Sequence, residues 1–294
     1  MSEGRPAGRG PLAIIAGAGS LPAEIAAEVT ARREDVAILP LKGVADADFS
    51  AYVHHPVGML DPNGVLEQLS RLKARAVILA GAAHRPGMGL VMGAYQAVRN
   101  REEIRQVLQG GDDNLLRGIV VFLEDHGFPV LGIHDVAPRL LAQAGALGRH
   151  APSEADLADI ACGHRALAAM GPSDIGQGLI VSQRRVLAVE AAEGTDNMIR
   201  RVAGLRRPGL FGRLERHGRP VVAERTGGVL VKAPKPGQDY RVDLPGVGPR
   251  TVRLAKKARL AGIAIEAGAV LVLDREATIR AADEAGLFIV GVAP

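Results

Sequence analysis

The 294-residue chain has no tryptophan, three tyrosines, five phenylalanines, a single cysteine (Cys162) and only six lysines among its 36 basic residues. Each scarcity excludes something. A lone cysteine cannot build an intrachain disulfide framework, and it points to a reducing, cytoplasmic compartment. Aromatic residues at 3% leave few stacking platforms, so nucleic acid is not an expected partner. No run reaches the roughly 18 apolar residues of a membrane span. The best candidate, residues 260–273, is shorter and contains Glu266. Residues 1–11 are polar and rich in Gly and Arg. They lack the apolar stretch of about 7–15 residues that a secretory signal requires, and read as a frayed tail. There is no Walker A sequence and no nucleophile elbow around Ser20 or Ser182. His54, His55, His134 and His164 are scattered without zinc-ligand spacing. Cys162 falls mid-helix, where a small buried hydrophobe is expected.

What is present is a globular composition: 47% hydrophobic, 23% charged and a net charge of +4. At roughly 100–200 residues per domain, the length suggests two domains, each with its own core. Residues 12–17, 36–41, 76–81 and 129–133 are short apolar runs, separated by helical patterns over 22–32, 64–72 and 114–126. Strands alternating with helices imply parallel βαβ units. The fold class expected is α/β, with a Rossmann-like N-terminal domain carrying a parallel sheet over residues 1–148. The pattern breaks at residues 145–153, and Ser153-x-x-Asp156 then starts a capped helix. Residues 149–294 have a different rhythm: a hairpin turning at Gln183-Arg184, a helix from Thr195, and strands at 229–233, 262–266, 270–274 and 288–292. Helices are expected at 251–260 and 277–285. This predicts a mixed α/β C-terminal domain.

Ligands on open parallel sheets bind beyond the carboxyl ends of the strands, which draws attention to residues 17–22 and 81–86. Gly17-Ala-Gly-Ser-Leu-Pro22 sits where a dinucleotide fold has its phosphate loop, with Gly17, Gly19, Ser20, Leu21 and Pro22 as candidate contacts. The third glycine of that fingerprint is absent. Lys42 stands after residues 36–41, where a ribose-binding acid would be expected. A nicotinamide oxidoreductase and a plain tight turn are the competing readings. Asp112 and Asp113 begin another helix, as caps or as ribose or metal contacts.

Residues 190–201 are more specific. Glu190 ends a strand, Gly194 turns the chain, and a helix opening at Thr195 and Asp196 directs backbone N–H groups toward an anion, with Arg200 and Arg201 following. Capping alone would explain the turn, but not two acids beside two arginines; a phosphate or metal–phosphate site explains both. Residues 234–248, broken by prolines and glycines, form a long loop of restricted backbone, and long loops are usually functional when ordered. Lys232, Lys235 and Arg241 supply cations there, while Asp239 and Asp243 can bind Mg²⁺ or take a proton. That mixture suits phosphoryl chemistry. Residues 200–219 hold seven arginines interleaved with Leu205, Leu210, Phe211 and Leu214, and residues 250–259 add five more basic residues. Basic and apolar residues together suit peripheral contact with an anionic membrane face.

Gly17-Ala-Gly-Ser-Leu-Pro22, Asp174-Ile-Gly-Gln-Gly178, residues 190–201, Lys232-Ala-Pro-Lys-Pro236 and Arg241-Val-Asp-Leu-Pro245 stand in the order seen in the LpxI-type UDP-2,3-diacylglucosamine pyrophosphatases of the lipid A pathway. The chain resembles that family from about residue 12 to its end. The resemblance implies two α/β domains holding UDP-2,3-diacylglucosamine between them. It also implies Mg²⁺-dependent hydrolysis to 2,3-diacylglucosamine 1-phosphate and UMP, with water attacking the β-phosphorus. The family's catalytic aspartate falls on Asp243, acting as metal ligand or as base. By charge and position, Lys232, Lys235, Arg241 and Arg200 are assigned to the diphosphate, and Gly194 and Thr195 to backbone and hydroxyl contacts. Gln177, Gln238, Asp112 and Asp113 are assigned to further substrate contacts, Asp196 to a catalytic role, and Glu190 to metal binding beside Asp243. A homodimer is expected from the resemblance alone, as is a cytoplasmic enzyme at the inner-membrane surface. The reading from another class is a non-catalytic regulator that binds a nucleotide sugar or a lipid in the same pocket.

Overall fold

The computed structural model describes residues 10–82, 112–171, 175–206, 226–235 and 237–293, without the side chains of residues 112–115. Several expectations lie outside the described residues: the loop at 83–86, Asp174, the side chains of Asp112 and Asp113, and the arginines at 207–219. The chain divides into two compact units. One comprises Met1–Pro138 together with Asp239–Asp243, and the other Arg139–Gln238 and Leu244–Pro294. The division precedes the break at residues 145–153, since Gly145–Ala146 already pairs with a C-terminal strand.

In the first unit, β1 (Leu12–Ala16), β2 (Val36–Pro40), β3 (Val53–His54) and β4 (Ala76–Ala80) form a parallel sheet in the order β3-β2-β1-β4. The steps from β1 through β2 to β3 therefore run one way along the sheet, and the connection from β3 to β4 crosses back to the other side of β1. A sheet with this reversal gathers its ligand-facing loops at the carboxyl end of β1. β1 and β4 are almost wholly buried, as their unbroken apolar runs require of strands covered on both faces. Helix α1 (Leu21–Ala31) starts with Pro22 in its first turn. Helix α2 (Pro62–Leu72) starts on Asp61, whose carboxylate accepts the Gly64 N–H at 2.9 Å. Helix α3 (Asp112–Asp125) places Asp112 and Asp113 in its first turn.

The strand expected at residues 129–133 is reduced to one parallel bridge, Val77↔Val130. The chain turns away because Gly132 donates its N–H to Asp135 at 2.9 Å, which starts the one-turn helix α4 (Ile133–Val136). The core of this unit joins Ala13, Leu39, Leu69, Val77, Val120 and Leu123, and Val242 packs against it from the Asp239–Asp243 segment.

In the second unit, β5 (Gly145–Ala146), β6 (Gly178–Ser182), β7 (Arg185–Val189), β8 (Val229–Lys232), β10 (Gly262–Glu266) and β12 (Phe288–Val292) form one mixed sheet. Its order is β5-β12-β10-β8-β6-β7. β9 (Gly246–Val247) and β11 (Leu271–Val272) pair separately. The strand expected at 270–274 is shortened because Asp274 takes a left-handed conformation (φ 43°) to start helix α8 (Arg275–Ala285). The loop expected at 234–248 is likewise interrupted by β9.

Side chains alternate across this sheet with period two, as strands require. Leu179, Val181, Val229, Val231, Ala264, Phe288 and Val290 face one core with Ile160 and Leu167 of helix α5 (Glu154–Met170). Ile180, Leu230, Ile263, Ile265 and Ile289 face the other, with Met198, Ile199 and Val202 of helix α6 (Gly194–Leu205) and Val252 and Ala255 of helix α7 (Pro249–Lys257). Gly163 lets α5 approach closely, since a Cβ there would lie 2.6 Å from Val231. Cys162, expected to be a small buried hydrophobe, is half-buried against the α5 core and donates its thiol to the Arg184 carbonyl at 3.3 Å. Its place one residue from Gly163 turns it toward the hairpin.

Candidate active site

Three adjacent strands of the second unit end at one cluster. Gly178 of β6 lies in register with Lys232 of β8, and its carbonyl accepts the Glu190 N–H at 2.9 Å just beyond β7. Gly194, at φ 76°, turns the chain into α6 and brings Thr195 over this edge. The Thr195 hydroxyl donates to Glu190 Oε1 at 2.8 Å and accepts from Lys232 Nζ at 2.7 Å. Lys232 Nζ also stands 3.5 Å from the Gly246 carbonyl and 3.9 Å from Glu190 Oε2. Few lysines are this buried, and such burial needs paired charge and hydrogen bonds.

Beside this cluster in sequence, Gln238 Oε1 accepts from Gln177 Nε2 at 2.9 Å and from the Lys235 backbone N–H at 3.0 Å. The amide of Gln238 thus shapes the turn after Pro234. Asp196, expected to be catalytic, is spent on cations: Arg250 Nε lies 2.5 Å from its Oδ2, and Arg200 Nη2 lies at 3.9 Å. Arg200 donates to Asn197 Oδ1 at 2.6 Å, and Arg201 to Glu193 at 2.6 Å and the Val189 carbonyl at 3.0 Å. Within 190–201 the close acid–arginine pair is thus Glu193 with Arg201, while Asp196 and Glu190 are met chiefly by Arg250 and Lys232 from outside the segment.

In the first unit, Asp239–Asp243 is held by Arg241. Its guanidinium grips the Asp239 carboxylate through Nε at 3.0 Å and Nη2 at 2.7 Å, and reaches Glu124 of α3 through Nη1 at 3.0 Å. The Arg241 side-chain hydrogen bonds are the chief cause that holds the Asp239 carboxyl below its ordinary range and raises the guanidinium in turn. Arg241, expected on the diphosphate, is thus the clasp of this segment. Val242 and Asp243 both bond back to the Asp239 carbonyl, at 3.2 and 3.3 Å. With Val242 docked on the core, Asp243 stands half-buried on an anchored turn.

The glycine loop is partly satisfied from within. Gly17 N–H donates to the Ala80 carbonyl at 2.8 Å, and Ala18 and Ala82 exchange two backbone bonds at 2.8 and 2.9 Å. Gly19 N–H donates to Asp46 Oδ1 at 2.7 Å. Asp46 is not legible from the sequence, because Lys42 stands immediately after β2 and the acid that reaches the loop comes several residues later. Ser20 precedes α1 without a side-chain cap, and Leu21 and Pro22 open the helix.

Among the described residues no group of three or more His, Cys, Asp and Glu could hold a metal ion. Asp239 is committed to Arg241, and Glu190 to Thr195 and Lys232. That donor set suits a cation held by one carboxylate together with water and substrate oxygens, the usual manner of Mg²⁺, and it does not suit a preformed cage.

Comparison with known proteins identifies the family. The LpxI N-terminal domain family matches residues 11–140 and the LpxI C-terminal domain family residues 143–290. The chain is 40% identical over 283 residues to the UDP-2,3-diacylglucosamine pyrophosphatase LpxI of Caulobacter vibrioides, covering 96% of this chain and 98% of the relative. With both domain families matched in order along nearly its whole length, the chain belongs to the LpxI family.

Proposed function

We propose that the protein hydrolyses UDP-2,3-diacylglucosamine to 2,3-diacylglucosamine 1-phosphate and UMP in lipid A synthesis. The observation that carries this is the 40% identity to a pyrophosphatase of that name across both domains. The water oxygen bonds to the β-phosphorus, the one nearer the sugar. The bond from that phosphorus to the bridging oxygen breaks, and the bridging oxygen departs on the phosphate of UMP. Asp243 orients the water and takes its proton, and the anchored turn from Asp239 to Asp243 fixes where that carboxylate stands.

Lys232 and Lys235 meet the charge of the diphosphate, where fixed cations contribute most of the rate enhancement. The backbone at Gly194 and Thr195, the side chains of Gln177 and Gln238, and the loop Gly17, Gly19, Ser20, Leu21 and Pro22 complete the substrate contacts. Mg²⁺, when bound with the diphosphate, supplies further neutralisation, and Asp243 is the protein ligand assigned to it. Helix α7 leaves Arg253, Lys256 and Lys257 exposed while Val252, Leu254 and Ala255 are buried. This supports peripheral contact with an anionic membrane face, each cation contributing about 1 kcal/mol. No helix among the described residues is long and apolar enough to cross a membrane.

Hydrolysis in ¹⁸O-water tests the reaction: the label is expected in 2,3-diacylglucosamine 1-phosphate. Label in UMP would overturn attack at the β-phosphorus, and absence of turnover would favour a non-catalytic binding protein. Asp243→Ala is expected to abolish turnover with an unchanged melting transition. A fully active variant would remove Asp243 from the chemistry.

A further inference from the structure

Glu190 has the surroundings of a counter-ion. The carboxylate reaches Lys232 across Gly178, which lies between them in the sheet. A Cβ on Gly178 would stand 2.6 Å from Glu190 Oε2 and 3.4 Å from Lys232 Cγ, so the missing side chain is the room through which acid and lysine approach. Thr195 closes the remaining gap, its hydroxyl donating to the carboxylate at 2.8 Å and accepting from the ammonium at 2.7 Å. The Glu190 side chain is 13% exposed and that of Lys232 6%. Oε2, the oxygen not used by Thr195, is buried without a hydrogen-bond partner and lies 3.9 Å from Nζ. A divalent cation on that oxygen would therefore face an ammonium already in place, with like charges opposed in a site of low exposure.

We infer that Glu190 is a positioning residue for Lys232, and not a ligand of magnesium. Gly178 makes room for the pair, and Thr195 transmits the orientation. The carboxylate offsets the burial of the ammonium and holds it at a fixed point from which it meets a diphosphate. The inference rests on the reading that Lys232 binds the diphosphate of the substrate.

The test uses UDP as the probe, bound to the full-length protein in EDTA and measured by calorimetry, with magnesium activation of turnover measured separately. Glu190→Gln keeps the shape and removes the charge. It is expected to weaken UDP binding about tenfold, and Lys232→Met at least as much. The magnesium concentration for half-maximal turnover is expected to stay at the wild-type value in Glu190→Gln. Thr195→Val is expected to weaken UDP binding, whereas Thr195→Ser, which keeps the hydroxyl, restores it. That pair carries the test if Glu190→Gln does not fold. Wild-type UDP affinity in Glu190→Gln together with a raised magnesium requirement would overturn the inference and restore the metal role. Unchanged affinity in Lys232→Met would overturn the diphosphate reading itself, and the inference with it.

Discussion

Asp46 accepts the Gly19 N–H at 2.7 Å, so a carboxylate already occupies the amide that a bound phosphate would seek. Asp46 is exposed and a ligand can displace it. Asp46→Ala removes the competing charge and leaves the amide to the nucleotide. UDP affinity is expected to rise by up to about fivefold, the scale of an exposed charge interaction of about 1 kcal/mol. Affinity that stays level would take the glycine loop out of the nucleotide site, and affinity that falls would make Asp46 a nucleotide contact rather than a competitor.

Arg206 ends α6 buried, only 4% exposed, and its guanidinium donates to the carbonyls of Ala258 at 2.6 Å, Arg259 at 3.1 Å and Gly227 at 2.7 Å. Ala258 is the C-cap of α7, where carbonyls lack helical partners and a cation is favoured. Arg206→Ala strands these acceptors, and a loss of about 2–4 kcal/mol is expected in urea denaturation. Arg206→Lys keeps the charge without the fork and should recover only part of it. An alanine variant as stable as wild type would show that water replaces the guanidinium.

Asp159, on α5, holds the β6–β7 hairpin. Its carboxylate accepts the N–H of Gln183 at 3.1 Å and of Arg184 at 2.5 Å. Both turn residues have positive φ, 51° and 57°, and neither is glycine. The left-handed region costs L-residues roughly 1–2 kcal/mol each, and the buried acid offsets that strain. Asp159→Ala is expected to lose about 2 kcal/mol and to broaden the amide signals of the turn, while leaving UDP affinity unchanged. A variant with wild-type stability would show that the turn holds without the acid.

The Asp239–Arg241 clasp predicts a pH response. Because the folded carboxyl lies below its ordinary value of 3.8, the clasp's contribution is fully present above that value and is lost as pH falls through the lowered folded one. Near neutrality the contribution is therefore present in full and does not vary with pH. In Arg241→Leu, the midpoint of the Asp239 carboxyl in a ¹³C NMR titration should move upward, and the acid limb of stability with it. An unmoved midpoint would refute the clasp.

Much of the fold was legible because it is written in short-range patterns. The apolar runs at β1, β2 and β4 need burial on both faces, Ser153 and Asp156 form the expected capping box, and the Gln183-Arg184 pair turns the expected hairpin. Residues 129–133 failed because an apolar run carries no record of Asp135 bending the chain after Gly132. The candidate site was legible as residue types and less so as pairings. Asp196 and Arg241 look like catalytic and substrate-facing groups in one dimension. In three dimensions Arg250 pairs with Asp196, and Glu124 joins Asp239 on Arg241, partners that residue type alone does not reveal.

The sequence alone determined the period-two and helical burial patterns, the caps and the family motifs, since these depend on neighbours within a few positions. Which charge meets which was decided only by the tertiary structure. Strand order set Gly178 between Glu190 and Lys232, and the return of Val242 to the first unit's core anchored Asp243. Electrostatic partners are chosen by distance in space, and the spacing of residues along a chain does not encode that distance.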